Sequence, residues 1–91
     1  MRLLTVCLNP TFQITMVHPS LLIGEVNRAG EHYLDLAGKG MNTARILSQL
    51  GHTSIHLTHL GGEKKHEFIR MTEKDRVELL WADSHSEIRT C

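Results

Sequence analysis

The chain has 91 residues, ten of them basic and ten acidic, so its formal net charge is zero. A chain of this length forms at most one small domain and buries roughly two thirds of its unfolded surface. Because the charges cancel and aromatic residues are scarce, the composition disfavours nucleic acid as a partner. The first apolar run, residues 3–8, is too short for a signal peptide or a membrane span. We therefore expect a cytoplasmic protein without a membrane partner.

Strand patterns occur in the first 36 residues of the chain. Residues 3–8 form a continuous apolar run, which is typical of a strand buried on both faces of a parallel sheet. Asn9 and Pro10 end this run. Residues 12–17 and 31–36 alternate apolar and polar side chains, which predicts two strands with one face in solvent.

A helix is predicted directly after the second alternating strand. Its apolar stripe is formed at every third position by Met41, Ala44, Leu47 and Leu50. Gly51 can end the helix because glycine accepts the left-handed conformation.

The remaining residues alternate between strand and helix. Residues 54–60 predict a second buried strand, 67–74 a helix, 77–82 a strand and 88–91 the start of another strand. Phe68 and Trp81 are expected to anchor the core. This order predicts an α/β fold, with a mainly parallel sheet flanked by helices and a small β flap inserted after the first strand.

The start of the predicted helix has the composition of a site for a phosphorylated ligand. A helix start offers unpaired N–H groups and the positive end of the dipole, and Gly38 and Gly40 allow close approach to that backbone. Lys39 adds a positive charge, and Asn42 can hydrogen-bond with sugar hydroxyls. The alternative is a turn before a core helix, with a solvated lysine. A P-loop is excluded because Gly40 follows the lysine, and a dinucleotide fingerprint is disfavoured because Thr43 stands where Gly or Ala is required.

The seven histidines suggest a metal site at first sight. His52, His56 and His59 are close in sequence, but the first two lie about 13 Å apart on a strand and cannot share one ion. We therefore expect no metal site, and we expect the histidines at the surface or in loops.

Five segments occur here in the order found in phosphofructokinase-B type sugar kinases, which have a ribokinase-like fold. They are Leu8-Asn9-Pro10, residues 24–28 (Gly-Glu-Val-Asn-Arg), residues 37–51 with Gly-Lys-Gly-x-Asn-x-Ala, residues 60–70 with Leu-Gly-Gly and Glu-Phe-Ile-Arg, and Arg89-Thr90. The whole chain resembles the amino-terminal part of a 1-phosphofructokinase or a tagatose-6-phosphate kinase. The resemblance implies ATP-dependent phosphorylation of a ketose phosphate, of the fructose 1-phosphate or tagatose 6-phosphate type.

The same resemblance implies a set of substrate-binding residues. They are Gln13, Gly38, Lys39, Gly40, Asn42 and Arg89. Lys39 and Arg89 correspond to the cations for the phosphate group, although a solvated strand charge is the alternative for Arg89. Gln13 stands where the family usually has an aspartate that binds sugar hydroxyls. An amide offers one neutral acceptor instead of a carboxylate, so we expect hydroxyl binding at this position to be weaker or to prefer a different sugar.

The resemblance also implies ATP and Mg²⁺ for the complete kinase. The family's Gly-Ala-Gly-Asp segment, which supplies the catalytic base near the carboxyl end, has no counterpart in these 91 residues. We therefore expect no catalytic residue, no bound cofactor and no activity from this chain alone. The strands at 12–17 and 31–36 correspond to a substrate lid and a possible homodimer contact. The alternative function is a truncated, non-catalytic remnant or an interaction module.

Overall fold

A computed structural model describes all 91 residues and contains six strands and two helices. In chain order they are β1 (Arg2–Cys7), β2 (Thr11–Val17), β3 (Glu31–Ala37), α1 (Lys39–Gln49), β4 (Thr53–Leu60), α2 (Lys65–Lys74), β5 (Glu78–Asp83) and β6 (Arg89–Thr90). The predicted α/β class is confirmed, and every predicted element is present. Neither helix has the length and apolar character needed to cross a membrane.

The main sheet is parallel and has the strand order β1-β4-β5. Its register places Cys7, Thr58 and Trp81 in one row across the three strands, on the same face. The start of α1 packs against Cys7, and Lys65 of α2 lies over the Trp81 ring. Both helices therefore cover the same face of the main sheet, as two right-handed crossovers in the same direction require.

The opposite face of the main sheet is open to solvent. Leu4 is 58% exposed on β1, and Leu80 is 48% exposed on β5. On the central strand, Leu57 of this face is also exposed, whereas Ser54 and His56 of the other face are buried. The prediction that residues 3–8 and 54–60 are buried on both faces is therefore wrong, because both helices pack on one face only.

A second, smaller sheet has the order β3-β2-β6. β2 and β3 pair antiparallel, with Gln13 opposite Asp35, and β6 runs parallel to β2, with Arg89 opposite Thr11. The loop between β2 and β3 is organised by Asn27. Its Oδ1 accepts a hydrogen bond from the Leu22 N–H at 2.8 Å, and its Nδ2 donates to the Leu22 and Glu25 carbonyls at 3.1 and 3.0 Å.

The hydrophobic core joins the two sheets. It consists of Phe12, Leu36, Met41, Ala44, Leu60, Phe68, Val77 and Ile88. Phe12 of the small sheet meets Phe68 of α2 edge to face, with ring centroids 5.6 Å apart. Only 17 of 91 residues are buried, and the radius of gyration is 15.3 Å, against about 12 Å for a compact domain of this length. The molecule is elongated because the outer parts of β2 and β3 extend away from the core with both faces in solvent. The prediction that residues 12–17 and 31–36 have one face in solvent is therefore wrong for these outer parts, since Ile14, Met16 and Leu34 are exposed as well.

Phe68 and Gly51 behave as predicted, but three other expectations about burial are wrong. Gly51 has φ +89° just beyond the end of α1, and Phe68 is fully buried. Trp81 is 38% exposed because β5 is an edge strand, and Leu50 is 69% exposed because it lies past the last turn of α1. His56 is fully buried because it lies on the central strand beneath α1.

Candidate functional site

The largest cavity of the structure lies where β1 ends and α1 begins. Its volume is about 400 Å³, which is within the range of small-molecule sites. Its lining consists of Val6, Cys7, Leu8, Asn9, Gly38, Lys39, Gly40 and Arg89. Three separate parts of the chain thus meet at this cavity: the end of β1, the turn into α1 and the start of β6.

Two glycines hold the start of α1 against the end of β1. Gly38 has φ +102°, a backbone conformation that side chains with a Cβ rarely adopt. A Cβ at Gly40 would lie 2.9 Å from the Val6 carbonyl oxygen and 3.1 Å from the Cys7 Cβ. Gly38 therefore allows the turn into α1, and Gly40 allows α1 to pack closely against β1.

The amino-terminal end of α1 is left without an internal partner. No side chain caps this end, and its first turn contains no acidic residue. The Asn42 N–H donates to the Gly38 carbonyl at 2.9 Å. The N–H groups of residues 39–41 come before this bond and have no acceptor within the helix. Together with the helix dipole, they favour an anion at this point.

The cavity carries two cationic side chains and no acidic one. Neither the Lys39 ammonium nor the Arg89 guanidinium forms an ion pair or a hydrogen bond within the protein. The acidic partners of the ion pairs in this structure, Asp75 and Asp83, are not among the residues that line the cavity. This donor set suits a phosphate or carboxylate group and does not suit Mg²⁺, which proteins bind through carboxylates.

The fold and part of the sequence are shared with known proteins. No protein-family profile matches the chain. A putative phosphofructokinase from Staphylococcus aureus superposes with a TM-score of 0.76 and 26% identity, over 99% of this chain and 29% of that one. Phosphofructokinase-2 from Escherichia coli, solved in complex with fructose-6-phosphate, superposes with a TM-score of 0.86 and 19% identity, over 98% of this chain and 29% of that one.

A curated relative adds sequence similarity to the shared fold. The 1-phosphofructokinase of Vibrio cholerae is 33% identical over 73 residues, which cover 80% of this chain and 23% of the relative. The chain is similar to the amino-terminal part of a ribokinase-like sugar kinase. It spans about a quarter of the length of this curated relative.

Four of the six predicted site residues line this cavity: Gly38, Lys39, Gly40 and Arg89. Gln13 does not line it and is exposed on β2. Asn42 is exposed in the first turn of α1, where its Oδ1 accepts a hydrogen bond from Arg45 Nη1 at 3.2 Å.

Sequence reasoning missed Asn9 as a residue of this cavity. The available signal was its position directly after a buried strand, where loop residues lie next to the sites of α/β sheets.

A buried histidine, His56, lies beneath the glycine turn at residues 38–40. The His56 Nδ1 is 2.6 Å from the Thr5 Oγ1, and its buried Nε2 has no partner. Its Cε1 lies 3.2 Å from the position of a Cβ at Gly40. Burial lowers the pKa of His56, because the imidazolium form would lose its hydration. His56 is therefore a neutral packing residue under α1, and it adds no charge to the cavity.

Proposed function

We propose that this chain forms the sugar-phosphate side of an ATP-dependent ketose-phosphate kinase. One observation carries the proposal: a cavity of about 400 Å³ is lined by two unpaired cations, by the free end of α1 and by no acidic residue. The names of the relatives point in the same direction, since both the curated relative and the solved structures are phosphofructokinases.

The two cations have complementary roles in this proposal. The Lys39 ammonium is a point charge that neutralises the phosphate dianion, and the Arg89 guanidinium is a planar fork that orients it. The N–H groups at the start of α1 bind the remaining phosphate oxygens. Asn42 and Gln13 lie outside the cavity lining and are assigned to the sugar hydroxyls.

The substrates that we propose are fructose 1-phosphate or tagatose 6-phosphate, with ATP as the phosphoryl donor. ATP with Mg²⁺ supplies the transferred phosphoryl group, but the cavity described here does not fit Mg²⁺ because it contains no carboxylate. The small sheet is assigned as the substrate lid and as a homodimer contact. Support for the contact comes from Ile14 and Met16, which are 42% and 61% exposed on its apolar face.

The open face of the main sheet favours a second candidate function. Leu4, Leu57 and Leu80 form an apolar surface that a binding partner can cover. In that case the chain acts as an interaction module and needs no phosphate ligand.

Calorimetric titration of the full 91-residue chain separates the two functions. The ligands are inorganic phosphate, fructose 1-phosphate, fructose 6-phosphate and tagatose 6-phosphate. The change Lys39→Met removes a hydrogen bond to a charged group and should weaken binding by about 1.5–3 kcal/mol, or roughly 10–150-fold. The matched control is Lys64→Met, because Lys64 is an exposed lysine at the start of α2. Equal affinities for the two variants would remove the phosphate-binding role and leave the interaction module.

A further inference from the structure

The register of the small sheet places an acidic residue beside Gln13. Asp35 of β3 lies directly opposite Gln13 of β2. Two positions along β2, Thr11 pairs with Arg89 of β6. Because side chains alternate between faces along a strand and paired residues share a face, the side chains of Asp35, Gln13 and Arg89 lie on one face of the small sheet.

This face of the small sheet adjoins the cavity. Arg89 lines the cavity, and β3 leads into the glycine turn at Gly38. The other face carries Phe12 and Leu36, which are buried in the core. The row with Asp35 and Gln13 lies one pleat repeat, about 7 Å, farther from the core than the row of Arg89. A ligand whose phosphate lies at Arg89 can therefore reach Asp35 with its remaining atoms.

Asp35 has no partner within the protein. Its carboxylate forms no ion pair and accepts no hydrogen bond, and the residue is exposed. By contrast, Glu31 on the same face accepts a hydrogen bond from the Tyr33 hydroxyl. The Gln13 amide contacts Thr15 Oγ1 at 3.5 Å and makes no bond with Asp35. The Asp35 carboxylate and the Gln13 Oε1 are therefore free to bind a ligand, and the Gln13 Nε2 holds only one long hydrogen bond, to Thr15 Oγ1.

The pair offers the chemistry that a polyol requires. A carboxylate accepts two charge-assisted hydrogen bonds from hydroxyl groups, and the neighbouring amide both donates and accepts. We infer that Asp35 binds hydroxyl groups of the sugar and, with Gln13, determines which sugar phosphate is accepted. This inference rests on the proposed function and adds a specificity-determining residue to it.

The test uses Asp35→Asn in the full 91-residue chain. The affinities of inorganic phosphate, fructose 1-phosphate, fructose 6-phosphate and tagatose 6-phosphate are measured by calorimetric titration. We expect the affinity for the preferred sugar phosphate to fall about tenfold or more, because a hydrogen bond to a charged acceptor is lost. The affinity for inorganic phosphate should stay equal or rise, because a negative charge near an anion site is removed. If Asp35 acted only through its charge, Asp35→Asn would leave the affinity for the sugar phosphate equal or raise it. That outcome is the opposite of the loss that we expect.

Two further variants sharpen the test. Glu31→Gln removes the same charge from the same face, two rows away, and should leave the sugar-phosphate affinity unchanged. The double variant Gln13→Asp with Asp35→Asn moves the carboxylate to the neighbouring strand and should restore part of the lost affinity. A restored affinity supports direct contact between the carboxylate and the sugar. If Asp35 had only a structural role, a carboxylate at position 13 would not restore the affinity.

The possible outcomes separate this inference from the proposed function. If Asp35→Asn binds sugar phosphate as well as the unmodified chain while Lys39→Met does not, the inference is overturned and the proposed function stands. If Asp35→Asn loses inorganic phosphate as well, Asp35 acts through the structure of the turn and the inference is also overturned. If the unmodified chain binds none of the four ligands, the inference and the proposed function are both overturned.

Discussion

Substituting Gly40 by alanine tests how closely α1 is held against the main sheet. The added Cβ would lie 2.9 Å from the Val6 carbonyl oxygen, 3.1 Å from the Cys7 Cβ and 3.2 Å from the His56 Cε1. The first of these atoms belongs to the backbone of β1, whose residues are paired with β4. It cannot rotate away as the end of a flexible side chain could. The helix must therefore lift away from the sheet.

The net cost follows from two opposing effects. Alanine in place of glycine favours the helix by about 1 kcal/mol, whereas overpacking of a tight contact costs roughly 1–3 kcal/mol. Since Gly40 has one contact below 3.0 Å with a backbone atom and two further short contacts, the cost lies in the upper part of that range. We expect a net loss of about 1–2 kcal/mol, equivalent to roughly 4–16 °C in the melting temperature of a small domain.

Thermal and urea unfolding, followed by circular dichroism, measure this effect. The matched control is Gly30→Ala, because a Cβ there meets only the Val17 carbonyl oxygen at 3.8 Å and the backbone is not left-handed. The control should be neutral or slightly stabilising. Because the start of α1 lines the cavity, Gly40→Ala should also weaken the proposed phosphate binding. If Gly40→Ala were as stable as Gly30→Ala, the close packing of α1 on β1 would be refuted.

Three further predictions concern pH, the β2–β3 loop and association. Because the pKa of His56 is lowered in the folded state, the unfolded chain takes up a proton at His56 before the folded chain does as the pH falls below about 6.5. Stability should therefore decrease from there down to the folded-state pKa, by at most about 1.4 kcal/mol per pH unit. His56→Gln should flatten this part of the profile in urea unfolding at pH 5–7, and an unchanged profile would contradict it. Asn27→Ala removes three hydrogen bonds from the loop, so limited proteolysis there should accelerate while the melting temperature hardly changes; Ser20→Ala is the exposed control. The open apolar face should cause self-association, and Leu80→Lys should reduce it in sedimentation velocity. If the unmodified chain were monomeric, this face would not drive self-association and the prediction would be wrong.

Local patterns in the sequence were sufficient to predict the elements, and they singled out the start of α1, where the largest cavity lies. The alternation at residues 12–17, the apolar run at 3–8 and the glycines at 38 and 51 act over a few residues. They specify strand, helix start and helix end without help from distant parts of the chain. The Gly-Lys-Gly segment likewise indicated an anion site, because its chemistry is contained in consecutive residues.

Only the tertiary structure decided which surfaces are buried and which side chains meet. An apolar run such as residues 3–8 is compatible with a sheet that is covered on one face and with a sheet that is covered on both faces, so the run does not determine how many faces are buried. The hand of the two crossovers placed both helices on one face, which buried His56 and left Leu4 in solvent. Asp35 became the neighbour of Gln13 through strand register, and Arg89 joined Lys39 because β6 pairs with β2. These contacts join residues far apart in the chain, and their formation depends on long-range pairing, which local periodicity does not encode.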